Sequence, residues 1–188
     1  IGRKKNGVFP LRGKFMNVYG KTFKSALENK EVGDLVKILG IDPSKTYDAD
    51  SIRKLPYQQV VLTTDQDKDG SHIFALVCCF FYHFFPSLCN NFITRFVTPL
   101  IRVKELSFYS IPEYDTWKLT AGKHSAKYYK GLATSSNAEA KSYFKQFDDH
   151  MKEFQFDFSI VGDSNNTLIP DAFDSKRADS RRKIVNDL

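Results

Sequence analysis

Three aspartates alternate with other residues in Thr64-Asp65-Gln66-Asp67-Lys68-Asp69-Gly70-Ser71-His72, which follows the run Val60-Val61-Leu62-Thr63. Alternate acids at the end of a buried strand would gather their carboxylates into one small space. That arrangement is costly unless a cation compensates it. An oxygen-only donor set suits a hard divalent ion such as Mg²⁺ or Ca²⁺. The Asp-x-Asp-x-Asp-Gly spacing also matches the start of an EF-hand loop. Here, however, Leu76 stands where that loop needs its bidentate glutamate and Ile73 where it needs its ninth-position ligand. The preceding run is β-branched and reads as strand, not helix. The EF-hand is therefore set aside in favour of a strand-to-helix turn, the place where open α/β sheets hold their ligands.

Cations form the second group of candidates. Arg12 and Lys14 flank Gly13 in Pro10-Leu11-Arg12-Gly13-Lys14, a loop whose glycine allows the backbone to approach a partner closely. Spacing alone reads this as a solvated basic loop. His72, after the acids, reads equally as a contact for a bound partner or as a packed helix-start residue. His83, inside the apolar stretch Ile73 to Phe85, reads as a satisfied core histidine. Cys78, Cys79 and Cys89 have neither disulfide-framework nor zinc spacing and read as small core residues in a reducing compartment.

The elements that must position these residues follow from hydrophobic patterning. With 188 residues, 41% hydrophobic and 14% aromatic, the chain can form a substantial core. The net charge of +6 favours a polyanionic partner. Phe15 to Val18 and Tyr57 to Thr64 read as strands, and Val32, Leu35, Val36 and Leu39 as one face of a helix ending at Gly40. Between them, residues 42–56 read as a polar loop with one short helix. Ser71 is expected to cap a buried helix that starts near His72 and ends at Pro86. The apolar stretch in that helix is too short to span a bilayer. Phe96 to Val103 reads as a strand disturbed by Pro99. Leu106 to Ile111 is strand-like, and a helix begins at Pro112. Lys127 to Lys130 is a short strand. Ser136 and Glu139 form a capping box for a helix burying Ala140, Tyr143, Phe144 and Phe147. The Lys176 to Lys183 stretch reads as a solvated helix face.

Three of these stretches occur in an order that resembles type II DNA topoisomerases. They are Pro10-Leu11-Arg12-Gly13-Lys14, Thr64 to His72 and Lys127-Tyr128-Tyr129-Lys130-Gly131-Leu132. Ser110-Ile111-Pro112-Glu113-Tyr114 and Trp117 resemble the family's stretch between the second and third. The likeness is nearer to eukaryotic topoisomerase II than to bacterial gyrase. It implies an α/β fold. Residues 1–96 would form a Rossmann-like TOPRIM domain with a parallel sheet and flanking helices, lacking its first strand. Residues 97–188 would form an α+β segment leading toward a winged-helix domain. By the resemblance, Mg²⁺ occupies two sites: Asp65 serves the first with an upstream glutamate, Asp67 serves both, and Asp69 the second. Arg12, Lys14 and Lys130 would contact double-stranded DNA. The resemblance also implies a nuclear, homodimeric, ATP-dependent isomerase that cleaves both strands reversibly, with no membrane association.

Several departures qualify this picture. The family's upstream Glu-Gly-Asp-Ser motif is absent, and no tyrosine here matches the nucleophile, which the family carries in its winged-helix domain. The ATP-binding domain is also absent. The chain begins with Ile1, so it is expected to be a piece of a longer protein and inactive by itself. Ala133 stands where the family has glycine, and a positive φ there would cost ~1 kcal/mol. A degenerate, non-catalytic paralogue that binds DNA or serves a structural role is the alternative. A TOPRIM primase or nuclease ranks last, because it would not carry both flanking motifs.

Overall fold

The structure, a computed structural model, describes residues 2, 4–130, 135–153 and 168–186. Two compact units are built from interleaved segments. One comprises Ile1–Val8, Val61–Phe74 and Thr94–Glu153; the other comprises Phe9–Val60, Ala75–Ile93 and Phe154–Leu188. They are called the sheet unit and the helical unit below.

In the helical unit, α1 (Phe23–Leu27) is capped by Thr22 and α2 (Lys30–Leu39) by Asn29, whose side chain accepts the N–H groups of Glu31 and Val32. The expected stripe on α2 buries Val32, Leu35 and Leu39, and Gly40 ends the helix in the left-handed region at φ 64°. A capping box of Asp48 and Ser51 starts the short helix α3 (Ala49–Arg53) within the polar loop. Phe15 to Val18 does not form a strand. Phe15 and Val18 are buried, but Asn17 is tied down through its side chain, which donates to the Phe173 carbonyl at 2.8 Å. Side-chain anchoring thus replaces a ladder.

Strand β1 (Val60–Thr63) is shorter than the expected Tyr57–Thr64, and α4 (Lys68–Phe84) begins four residues before His72. The first turns of α4 belong to the sheet unit and the rest to the helical unit. Within the latter, Phe80, Phe81, Phe85 and Phe92 are almost wholly buried. Phe80 meets Phe15 edge-on at 5.7 Å and Phe81 meets Phe92 at 5.9 Å, the tilted geometry that aromatic quadrupoles favour. Pro86 ends α4, as expected, and opens a 3-10 turn (Pro86–Leu88) that leads into α5 (Cys89–Phe92). No helix among the described residues is long and apolar enough to cross a membrane. Helices α8 (Leu168–Phe173) and α9 (Ala178–Asn186) are joined by polar contacts. Arg177 pairs with Asp171 at 2.9 Å, and the Arg181 guanidinium donates to the carbonyls of Asp171 and Asp174 at the end of α8.

The sheet unit holds the remaining strands. The single strand expected over Phe96 to Val103 divides into β2 (Ile93–Phe96) and β3 (Ile101–Val103), because Pro99 lacks the N–H a continuous ladder needs. Strand β4 (Leu106–Phe108) returns along β3, and α6 (Ile111–Lys118) follows with Ser110 as its cap. Strand β5 (Lys127–Tyr128) also pairs with β3. Helix α7 (Asn137–Lys145) and strand β6 (Met151–Glu153) complete the unit. Two three-stranded sheets result among the described residues, in the orders β1-β2-β6 and β4-β3-β5. The β2·β6, β3·β4 and β3·β5 pairs are antiparallel. The fold is thus mixed α/β with small sheets. A parallel sheet needs repeated strand–helix crossovers, and one such unit, β1 into α4, is present among the described residues.

The β3–β4 turn is two residues long, and its first residue, Lys104, sits at φ 52°. Such turns favour Asn or Gly at this position, and a lysine there costs on the order of 1–2 kcal/mol.

Candidate metal and nucleic-acid site

The turn from β1 into α4 places the three aspartates in three different backbone settings. Asp65 lies in the connection after β1. Asp67 occupies the capping position of α4: its carboxylate accepts the Gly70 N–H at 2.8 Å and its carbonyl accepts the Ser71 N–H at 3.0 Å. Asp69 stands in the first helical turn, where its charge favours the helix dipole. The capping role expected of Ser71 therefore belongs to Asp67, because the helix starts inside the acidic triplet. All three side chains are exposed. Partial desolvation by its surroundings, and then the neighbouring charge of Asp67, pushes the Asp65 carboxyl above its ordinary range. Among the described residues no cluster of three or more His, Cys, Asp or Glu side chains stands ready to hold a metal. Strand alternation does not operate beyond Thr63, so spacing alone does not bring all three carboxylates together.

Two features fix this turn. A Cβ on Gly70 would lie 2.0 Å from the Asp65 carbonyl oxygen, a distance no side chain can occupy, so only glycine lets α4 start this close to the acids. Arg95 on β2 is the second. Its guanidinium donates to the Asp65 carbonyl at 3.2 Å and to the Ser71 hydroxyl at 3.4 Å, and it lies 5.2 Å from the Phe74 ring centroid. Sequence reasoning did not single out Arg95. Its signal was an arginine interrupting the apolar run Phe92-Ile93-Thr94-Arg95-Phe96. His72 is exposed, and His83 is held in the helical unit by the Lys21 carbonyl at 3.1 Å and the Tyr19 ring; it is satisfied, as expected, but half-buried and not in the core.

Of the candidate DNA contacts, Lys130 is in the sheet unit with the acids, whereas Arg12 and Lys14 are in the helical unit. All three side chains are exposed. Arg12 is anchored through its backbone N–H, which donates to the Glu31 carboxylate at 3.1 Å. Lys130 follows β5, and Gly131 to Thr134, including Ala133, lie outside the described residues.

Glu139 on α7 gathers partners from β5, from Tyr129 and from its own N-cap. Its carboxylate accepts from the Tyr129 hydroxyl at 2.5 Å, the Ser136 N–H at 2.7 Å and the Lys127 ammonium at 3.0 Å. Those bonds, the Tyr129 hydroxyl first, hold its carboxyl down to about 2. Arg102 and Lys127 are direct cross-strand partners, an arrangement that would repel, and Glu139 lies 3.9 Å from the first and 3.0 Å from the second. The capping box was legible from sequence, but this wider role was not.

The family model for the C-terminal associated domain of TOPRIM matches residues 96–188. DNA topoisomerase 2-alpha of Rattus norvegicus is 42% identical over 97% of this chain, the human protein of that name 41%, and DNA topoisomerase 2-beta of Gallus gallus 42%. A crystal structure of the Plasmodium falciparum topoisomerase II DNA-binding, cleavage and re-ligation domain superposes with a TM-score of 0.83 at 39% identity, over 97% of this chain. The chain belongs to the type II DNA topoisomerase family. It spans 12% of the length of those curated relatives and 25% of the Plasmodium chain. Within that family, the stretch here runs from the Pro10–Lys14 loop through the acidic turn and into the TOPRIM-associated segment.

Proposed function

We propose that this chain is part of the DNA gate of a type II topoisomerase, where it would bind Mg²⁺ and double-stranded DNA for reversible cleavage of both strands. The observation that carries the reading is the acidic turn between β1 and α4, set in a chain 42% identical to topoisomerase 2-alpha over 97% of its length. Residues 1–96 would correspond to the TOPRIM domain and its Rossmann-like parallel arrangement, and 97–188 to the segment beyond it. In the longer protein the activity would be ATP-dependent strand passage by a nuclear homodimer.

Asp65 and Asp67 fit a divalent cation as a pair of carboxylates. Asp65 already feels the charge of Asp67, and one Asp67 oxygen is engaged by the Gly70 N–H. Mg²⁺ is commonly held through one or two carboxylates, with substrate phosphates and water completing its shell. Asp65, Asp67 and Asp69 would hold it across two positions. Bound there, the ion would stabilise negative charge on the scissile phosphate and the departing oxygen. Asp67 caps the helix that bears the site, Arg95 holds the Asp65 backbone in place, and Arg12, Lys14 and Lys130 would draw phosphates by charge.

Asp67→Asn separates metal binding from folding, because asparagine caps a helix as well as aspartate does. Calorimetry should show Mg²⁺ affinity at least about tenfold weaker in this variant at unchanged circular dichroism. Equal affinity would remove the metal-site reading. Affinity for duplex DNA should fall steeply with salt, and Arg12→Ala or Lys14→Ala should each lower the log–log slope by about one. A slope unchanged by both substitutions would remove their phosphate contacts.

A further inference from the structure

A groove of about 410 Å³ lies in the sheet unit, beside the strained β3–β4 turn, and the acidic turn takes no part in it. Val103, Leu106 and Trp117 supply an apolar floor, while Lys104 and Lys123 stand on its lining against the single acid Glu105. Leu106 is 49% exposed, and Ile111 and Leu119 nearby in sequence are exposed as well, so apolar surface is concentrated in this stretch. His124 forms a wall and is committed to structure. Its Nδ1–H donates to the Gly122 carbonyl at 2.7 Å, which leaves Nε2 to accept from the Tyr114 hydroxyl at 3.0 Å.

We infer that this groove is a docking site for an acidic peptide segment bearing one large aliphatic side chain. The aliphatic group would enter over Leu106 and the Trp117 rim, and flanking carboxylates would meet Lys104 and Lys123. Two observations point to that occupant. The cationic lining complements acid. The left-handed backbone at Lys104 is a conformation that Gly or Asn would hold with less strain, and it sets an ammonium at the groove where those residues would place none. The Trp117 indole is already flanked by the rings of Phe108, Tyr114 and His124, at 5.0, 6.0 and 4.8 Å.

Trp117 is the chain's single tryptophan, so its fluorescence reports this groove directly. The probe is a blocked hexapeptide of aspartate and glutamate with one central leucine, titrated into the 188-residue chain. Expected is a saturable change in emission, weakened two- to fivefold in Lys104→Asn at equal or higher thermal stability. In Leu106→Glu, a half-exposed position that can change without unfolding the chain, the response should be lost. The inference is overturned if the peptide produces no change, or if a serine-for-leucine version binds equally well. It is also overturned if Lys104→Asn binds as tightly as the unaltered chain, or if oligo(dT) produces the response and the peptide does not.

Discussion

The two halves of α4 are held by different physics. From Ala75 onward the helix belongs to an aromatic core in which Phe80, Phe81 and Phe85 are almost fully buried and the contacts are dispersive and numerous. From Lys68 to Phe74 it belongs to an exposed turn fixed by a few directed interactions: the Asp67 cap, the Gly70 close approach and the Arg95 guanidinium. The first kind of region tolerates no cavity but asks little of any single hydrogen bond. The second can lose its form through one atom.

Substitutions should separate the two. Phe80→Ala should cost about 4 kcal/mol in urea unfolding, the largest effect, with the Mg²⁺ affinity of the folded fraction unchanged. Gly70→Ala should follow at about 3 kcal/mol, because the new methyl group meets the Asp65 carbonyl. Unlike the core variant, it should also alter Mg²⁺ binding by calorimetry. Glu139→Gln should cost about 2 kcal/mol at neutral pH by removing charge-assisted bonds. Its pH dependence has a definite sign. The Glu139 carboxyl is held at about 2 against an ordinary 4.5, so its contribution is full above the ordinary value. It is lost as pH falls from there through about 2. Urea midpoints between pH 6 and 2 should therefore drop less steeply in the glutamine variant. Arg95→Met should have the smallest effect, about 1 kcal/mol globally. Hydrogen exchange at Gly70 and Ser71 should nonetheless accelerate, because the turn loses its tie to β2.

The same contrast explains what could be read from the chain. The α2 stripe, the Gly40 stop, the Pro86 break and the Ser136–Glu139 box are local signals, each decided within one or two helical turns. The start of α4 was misjudged for a local reason as well: Asp67 and Ser71 can both cap, and the choice fell to the close approach that Gly70 permits. Arg95 and the reach of Glu139 were not legible, since their partners lie 30 and up to 37 positions away. Phe15 to Val18 failed as a strand because alternation says what is buried and not whether a neighbouring strand exists to pair with it. The acids were found by residue type and spacing, but their grouping depends on backbone settings that spacing does not encode.

The buried thiols have a practical consequence. Cys79 in α4 and Cys89 at the start of α5 both lie in the helical unit, fully buried, and burial pushes both up to about 12. At neutral pH they are protonated and sealed, so an alkylating reagent reacts with them only in molecules whose helical unit has opened. The rate of their modification is a built-in clock for that opening. It can be read by mass spectrometry on the unmodified sequence, with no added label and no substitution in the core.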